Sequence, residues 1–234
     1  MLQNFDTELN YTLVRSPRRK RLALQVKAGE LYVRATPYCR QPEIDAFIRL
    51  KRGWIRQQMQ WQQRQLRLLA IETAEQGLWL LGKRVPVQCM PASHSGFVFD
   101  GQQLLLYAGP RVRPERREQS YQQQLTSWYQ QQAVSWIEQR LAYWQQRMQL
   151  QCRRFFVKSW RRRWGCCNSN QELGFNWHLV KAPSWVIDYV LVHELAHLKW
   201  MDHSADFWHL VRSHYSEVDA AREWLKLHHL RLLS

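Results

Sequence analysis

Long apolar runs are missing from this 234-residue chain, and acidic residues are scarce. No uninterrupted stretch approaches the ~20 apolar residues of a membrane span, and Asp188 breaks the most apolar segment. The first thirty residues hold no apolar core of the length a secretory signal needs. The five cysteines are odd in number and irregularly spaced, which argues against a disulfide framework. Together these absences point to a cytoplasmic chain with reduced thiols and no membrane attachment. Cys166 and Cys167 are adjacent, not C-x-x-C, and no second pair completes a four-cysteine zinc site. Nineteen Asp and Glu face 34 Lys and Arg, for a net charge of +15. That excess favours an anionic partner: an acidic protein, a nucleotide or a nucleic acid. A merely soluble basic protein is the plain alternative, since charge alone names no partner. Nothing in the sequence bears on oligomeric state, and no internal repeat is visible.

What the chain has in quantity is aromatic side chain. Thirteen tryptophans need buried space, so the chain is not disordered. Tyr11–Arg15, Leu22–Val26 and Leu31–Ala35 alternate apolar and polar residues, and short connections predict a twisted antiparallel sheet. Pro42 and Glu43 open a helix that runs to about Leu69. Further strands lie between Leu78 and Tyr107, separated by glycine-bearing turns. Arg111–Arg117 is a basic boundary. After it, Tyr121, Leu125, Trp128, Tyr129, Trp136, Ile137, Leu141, Trp144 and Met148 keep a helical period. That long helix is expected behind the helix that follows Pro183. Phe155–Lys158 and Glu172–Asn176 read as strands, and 205–215 and 220–232 as closing helices. The fold class is therefore α+β. Residues 1–110 form a β-rich region with a helix, and 111–234 a mainly helical region with a small sheet.

The residues from Asp188 to Trp200 contain His193-Glu194-Leu195-Ala196-His197, an H-E-x-x-H pattern. On a helix, positions four apart differ by about 40° around the axis and roughly 6 Å along it, so both imidazoles leave one face together. That suits two ligands of one tetrahedral Zn²⁺, with Glu194 placed to take a proton from water activated by the metal. The helix is apolar nearly all round and so should be buried. Buried His and Glu cost roughly 1–3 kcal/mol each unless satisfied. A metal satisfies them directly; two hydrogen-bonded core histidines are the bland alternative. For a third ligand, His203 lies six residues after His197 and a short return loop could deliver it. A carboxylate from a later helix, Glu217 or Glu223, is the rival. The spacing is also that of metzincins, but Trp200 stands where those need glycine, and no methionine follows Met201 for a Met-turn.

A wider set of residues carries a resemblance. Arg163-Trp164-Gly165-Cys166-Cys167-Asn168-Ser169, Leu173-Gly174-Phe175-Asn176-Trp177, Pro183, Ile187-Asp188-Tyr189-Val190, the H-E-x-x-H helix, His203-Ser204 and Phe207-Trp208 resemble the YgjP-like metallopeptidase family, related to the SprT and WLM zincins. The likeness is close over about residues 150–210 and looser in the N-terminal half. It implies a zincin-like catalytic region, with His193, His197 and His203 as zinc ligands and Glu194 as the catalytic acid/base.

Beside the metal site, Arg161, Arg162 and Arg163 could hold an acidic or phosphate group of a substrate, and the 111–117 cluster could hold an anionic partner. Strand 172–176, with Asn176 at its end, could lie along the cleft and bind an extended peptide by edge pairing. Asn176 and Asp188 are also expected to hold the site in shape rather than to bind metal. Two enzyme classes stay open: a metallopeptidase, and a nucleotide phosphoanhydride hydrolase with the arginines as phosphate clamps. A non-catalytic basic nucleic-acid-binding module with a structural metal is weaker, because closed structural sites use four protein ligands.

Overall fold

The computed structural model describes residues 2–4, 10–27, 29–74 and 77–233. It is an α+β chain that divides into two compact units, Met1–Ala74 and Glu75–Ser234. Among the described residues no helix is long and apolar enough to cross a membrane.

The first unit holds β1 (Leu2–Asn4), β2 (Asn10–Arg15), β3 (Ala23–Lys27) and β4 (Glu30–Ala35), in the order β1-β2-β4-β3. Alternation places these strands correctly, but the sheet is not purely antiparallel as short connections suggested. β3 and β4 form an antiparallel hairpin at Gly29 (φ +80°), while β2 runs parallel to β4 on its other side. Residues 16–29 include β3 itself, which gives the parallel pair the roughly dozen-residue connection it requires. α1 (Gln41–Leu50) and α2 (Arg52–Ala74) replace the single helix expected from Pro42. Lys51 interrupts them at φ −99°, ψ 9°, two residues before the poor helix former Gly53. Ile44, Ile48 and Ile55 cover Tyr11, Leu31, Val33 and Ala35 on one face of the sheet.

The second unit begins with a hairpin, β5 (Leu78–Leu80) and β6 (Lys83–Val85). Its turn carries two positive φ values, at Leu81 and Gly82, and presses on the segment before the H-E-x-x-H helix. Leu81 N–H donates to Val180 at 2.7 Å, and a Cβ at residue 82 would lie 2.9 Å from Pro183 Cα. β7 (Val87–Pro91), β8 (Gly96–Phe99) and β9 (Leu104–Ala108) follow, in the order β7-β9-β8. They pack on α3 (Arg117–Met148): Leu104 and Leu106 are buried in one core with Trp128, and the Phe99 ring meets Trp128 edge-on at 5.3 Å. The division between the two compact units falls at 74/75, and the strands between 78 and 108 share a core with α3.

β10 (Arg154–Lys158), β11 (Gly165–Cys167) and β12 (Glu172–Asn176) form a third sheet in the order β10-β12-β11. A 3-10 segment, Trp177–Lys181, leads to α4 (Ser184–Ala196), and α5 (Ala205–His214), α6 (Val218–Leu227) and α7 (His229–Leu233) complete the unit. Three strand triplets, β2/β3/β4, β7/β8/β9 and β10/β11/β12, share one pattern: the first and third pair parallel, and the second joins the third from its other side. This recurrence has no counterpart as a sequence repeat. α4 is buried on nearly every side. α3 lies along it, as its aromatic period predicted, and Arg140 grips Asp188 with bonds of 2.8 and 2.6 Å. The Tyr215 hydroxyl donates to the Trp185 carbonyl in the first turn of the same helix. His178 Nδ1 donates to the Leu232 carbonyl at 2.8 Å, tying α7 to the 3-10 segment.

Candidate metal centre

His193 and His197 occupy the last turn of α4, with ring centroids 4.9 Å apart. His197 is itself the C-cap, and the chain turns there through Leu198 N–H to Leu195 and Trp200 N–H to Ala196. The loop runs on to Ser204, whose hydroxyl caps α5 by accepting from Phe207 N–H. That return brings His203 to the other two histidines. His203 Nε2 lies 3.2 Å from His193 Nε2, and one ligand atom from each of the three rings falls within 4.8 Å of the others. Tetrahedral zinc with bonds near 2.05 Å places its nitrogens roughly 3.3 Å apart, so the spacing fits a shared ion. His197 Nδ1 is 2.9 Å from the Trp200 carbonyl. A carbonyl can only accept, so the neutral ring carries its proton on Nδ1 and leaves the Nε2 lone pair available. Phe207 stacks on His197 at 4.5 Å and Trp208 on His203 at 5.7 Å, fixing the rings from the α5 side. Burial drives His193 down to about 3, with the other two histidines adding to the shift, and it lowers His197 as well. Neutral imidazoles are the ligand form.

Glu194 is 6 % exposed and lies on the far side of the helix step from His193. Its carboxyl rests against β11: a Cβ on Gly165 would come within 2.5 Å of Glu194 Oε1. Only glycine lets the strand approach so closely. Burial pushes the Glu194 carboxyl up to about 8, opposed by the charge of Arg163.

Among the described residues, the group able to hold a metal consists of these three histidines, without Glu217 or Glu223. Glu223 instead stands 3.8 Å from Lys226. Arg161, Arg162 and Arg163 are exposed. Arg163 lies over the Trp160 ring at 5.8 Å, and the Arg161 backbone bonds to His229. Asn176 lies at the end of β12. It is fully buried; its amide donates to the Trp160 and Arg163 carbonyls at 2.7 and 3.0 Å and its oxygen accepts from His178 N–H. Both amide hydrogens are spent on tying down the 160–163 loop. β12 is likewise the central strand of its sheet, so the edge that faces the site belongs to β11, a strand hidden inside what reads as a loop.

Sequence reasoning missed three neighbours of the centre. Tyr189, one helical turn before His193, has its ring 5.8 Å from that of His193. The i−4 spacing was a usable signal. Arg222 of α6 lies over Trp208 at 5.0 Å, and its charge helps to depress His193. Gly165 is the third. For the last two, no local pattern marks the contact, which is made by distant elements.

The sequence profile of the family described as YgjP-like, metallopeptidase domain, matches residues 20–228. The chain belongs to that family. The match supports a metal-dependent hydrolase, and it spans both compact units of this YgjP-like chain. Neither the curated proteins nor the solved structures gave a significant match.

Proposed function

We propose that this chain is a zinc-dependent metallopeptidase in which His193, His197 and His203 hold the ion and Glu194 is the general base. The observation that carries the reading is the clustering of three ring nitrogens, with His197 fixed in the tautomer that frees Nε2. A bound Zn²⁺ supplies Lewis acidity, which acidifies water and polarises the attacked carbonyl. Glu194 takes the proton of the attacking water on its carboxylate and returns it to the leaving amine, without a covalent enzyme intermediate. Its position against Gly165 leaves the carboxyl little freedom to turn away. The outer edge of β11, which no strand among the described residues pairs, offers backbone groups to an extended peptide beside that carboxyl. Arg140, through Asp188, sets the depth of α4 and so of the ligands.

One observation favours a second reading. The charge of Arg163 acts on Glu194, and Arg222, packed over Trp208, acts on His193, so two exposed cations influence the centre. Such a pair suits an anionic substrate group, including the phosphates of a nucleotide. Metal analysis coupled to a hydrolysis screen over casein-like proteins and nucleoside triphosphates separates the two. The Arg163→Ala, Arg222→Ala double variant should lose most phosphoanhydride activity but little activity on neutral peptides. The ligand set is tested by His203→Ala, which should lose tightly bound metal. Retention there, with loss in Glu217→Ala, would move the third ligand to the carboxylate.

A further inference from the structure

The N-terminal sheet has two faces, and α1 and α2 pack on one of them. The other face carries Thr12 and Val14 from β2, Tyr32 and Arg34 from β4, and Ala23 and Gln25 from β3, as the registers fix it. Tyr32 sits on a central strand between Thr12 and Gln25; Arg34 sits between Val14 and Ala23. The Tyr32 hydroxyl donates to Glu30 at 2.7 Å, which holds the ring from the hairpin end. At the opposite end the β2–β3 connection, residues 16–22, carries Arg18, Arg19, Lys20 and Arg21, and all but Arg19 are exposed. Among the described residues none of these four, nor Lys27 or Arg34, makes an ion pair.

From this arrangement we infer that the open face of the N-terminal sheet binds single-stranded nucleic acid, with a base stacked on Tyr32 and the phosphates led along Arg34 and the 18–21 turn. The four cations of the turn and Arg34 beside it, none of them ion-paired among the described residues, repel one another and gain by meeting a polyanion. A flat sheet with one aromatic ring between polar side chains is the form that receives unstacked bases, and it cannot enter a duplex groove as a helix does. Thr12 and Gln25, beside the ring, offer donors and acceptors to base edges. Among the described residues, the side chains that β2, β3 and β4 turn to this face form no cluster of large apolar anchors such as a protein partner's hot spot needs, and include no Phe, Trp or Leu to wedge into a lipid surface. The inference is independent of the metal centre, which lies in the other compact unit.

The test uses the 234-residue chain and fluorescence anisotropy with a labelled mixed-sequence oligonucleotide of about 20 nucleotides, longer than the footprint of one small domain. Log affinity should fall linearly with log salt, at about 0.7 per phosphate neutralised. Lys20→Glu with Arg21→Glu, on an exposed turn, should weaken binding at least about tenfold and flatten the salt slope. Tyr32→Ala should weaken it by about 5- to 100-fold, while Tyr32→Phe, which keeps the ring, should stay near wild type. Metal content and any hydrolytic activity should be unchanged in all three. Absence of binding at low salt overturns the inference. So does an equal preference for duplex, or loss of binding only on charge reversal of Arg111 and Arg113.

Discussion

His193, Glu194 and His197 do different work from neighbouring positions on one helical turn. The two imidazoles share a face, and Glu194 is turned toward β11. Replacing Glu194 by glutamine keeps size and hydrogen-bonding capacity but removes the proton acceptor. Glu194→Gln should therefore retain metal and fold while hydrolysis drops by roughly 10²–10⁴-fold, the usual worth of a general base. Elemental analysis and single-turnover rates on the same preparation check it, and an unchanged rate would sink the proposed chemistry. The convergence of His193, His197 and His203 was readable in the sequence because the spacing is local: i,i+4 on a helix, then a six-residue return. The surroundings of Asn176 were not readable, for the complementary reason. Nothing in Leu173–Trp177 reveals that its amide is enclosed by the carbonyls of residues 160 and 163, which only the folded loop supplies.

At the scale of elements, the site is made by a strand that the sequence conceals. β11 is three residues long and lies in a run of arginine, tryptophan and cysteine that reads as loop, yet its Gly165 sets where the Glu194 carboxyl can sit. Gly165→Ala forces that flexible carboxyl to shift rather than the backbone. The expected result is a chain with near-normal melting temperature and metal content, but with turnover reduced by about 10²-fold, the scale associated with a misplacement near 1 Å. A large loss of stability with normal specific activity would contradict it. The α3–α4 contact was more legible, since the aromatic period of α3 announces a long buried stripe, but the partner of Asp188 was not. Arg140→Ala leaves that carboxylate buried without its two charged hydrogen bonds, and should cost roughly 1.5–3 kcal/mol in urea unfolding. Strand positions in the first unit followed from alternation. Their parallel pairing did not, because register and neighbour order depend on where residues 16–22 cross, which periodicity does not encode.

Over the whole molecule, buried titratable groups give the metal-free chain a pH profile with a turning point. Burial holds His178 and His228 down to about 4 and His193 down to about 3, against about 6.5 in an unfolded chain. Below pH 6.5 the unfolded chain takes up protons that the folded one refuses, so these histidines make stability fall as the solution is acidified. Glu194 acts in the opposite direction. Its folded value near 8 lies above the unfolded carboxyl range, so between pH 8 and about 4.5 the folded chain holds a proton that the unfolded one releases. Acidification from pH 8 to 6.5 should therefore stabilise the metal-free chain, and further acidification should destabilise it as three histidines outweigh one carboxyl. Each tenfold change in proton affinity is worth about 1.4 kcal/mol, enough to resolve by chemical unfolding. Urea titrations of chelator-treated protein at half-unit pH steps should show a maximum near pH 6.5. In Glu194→Gln the rise on the alkaline side should vanish and the fall on the acid side should remain; in His178→Gln the acid fall should become shallower. A profile that climbs steadily from pH 8 to pH 5 in the wild type would mean that the histidines are not held neutral by burial, and with that the argument for ligand-ready imidazoles would fail.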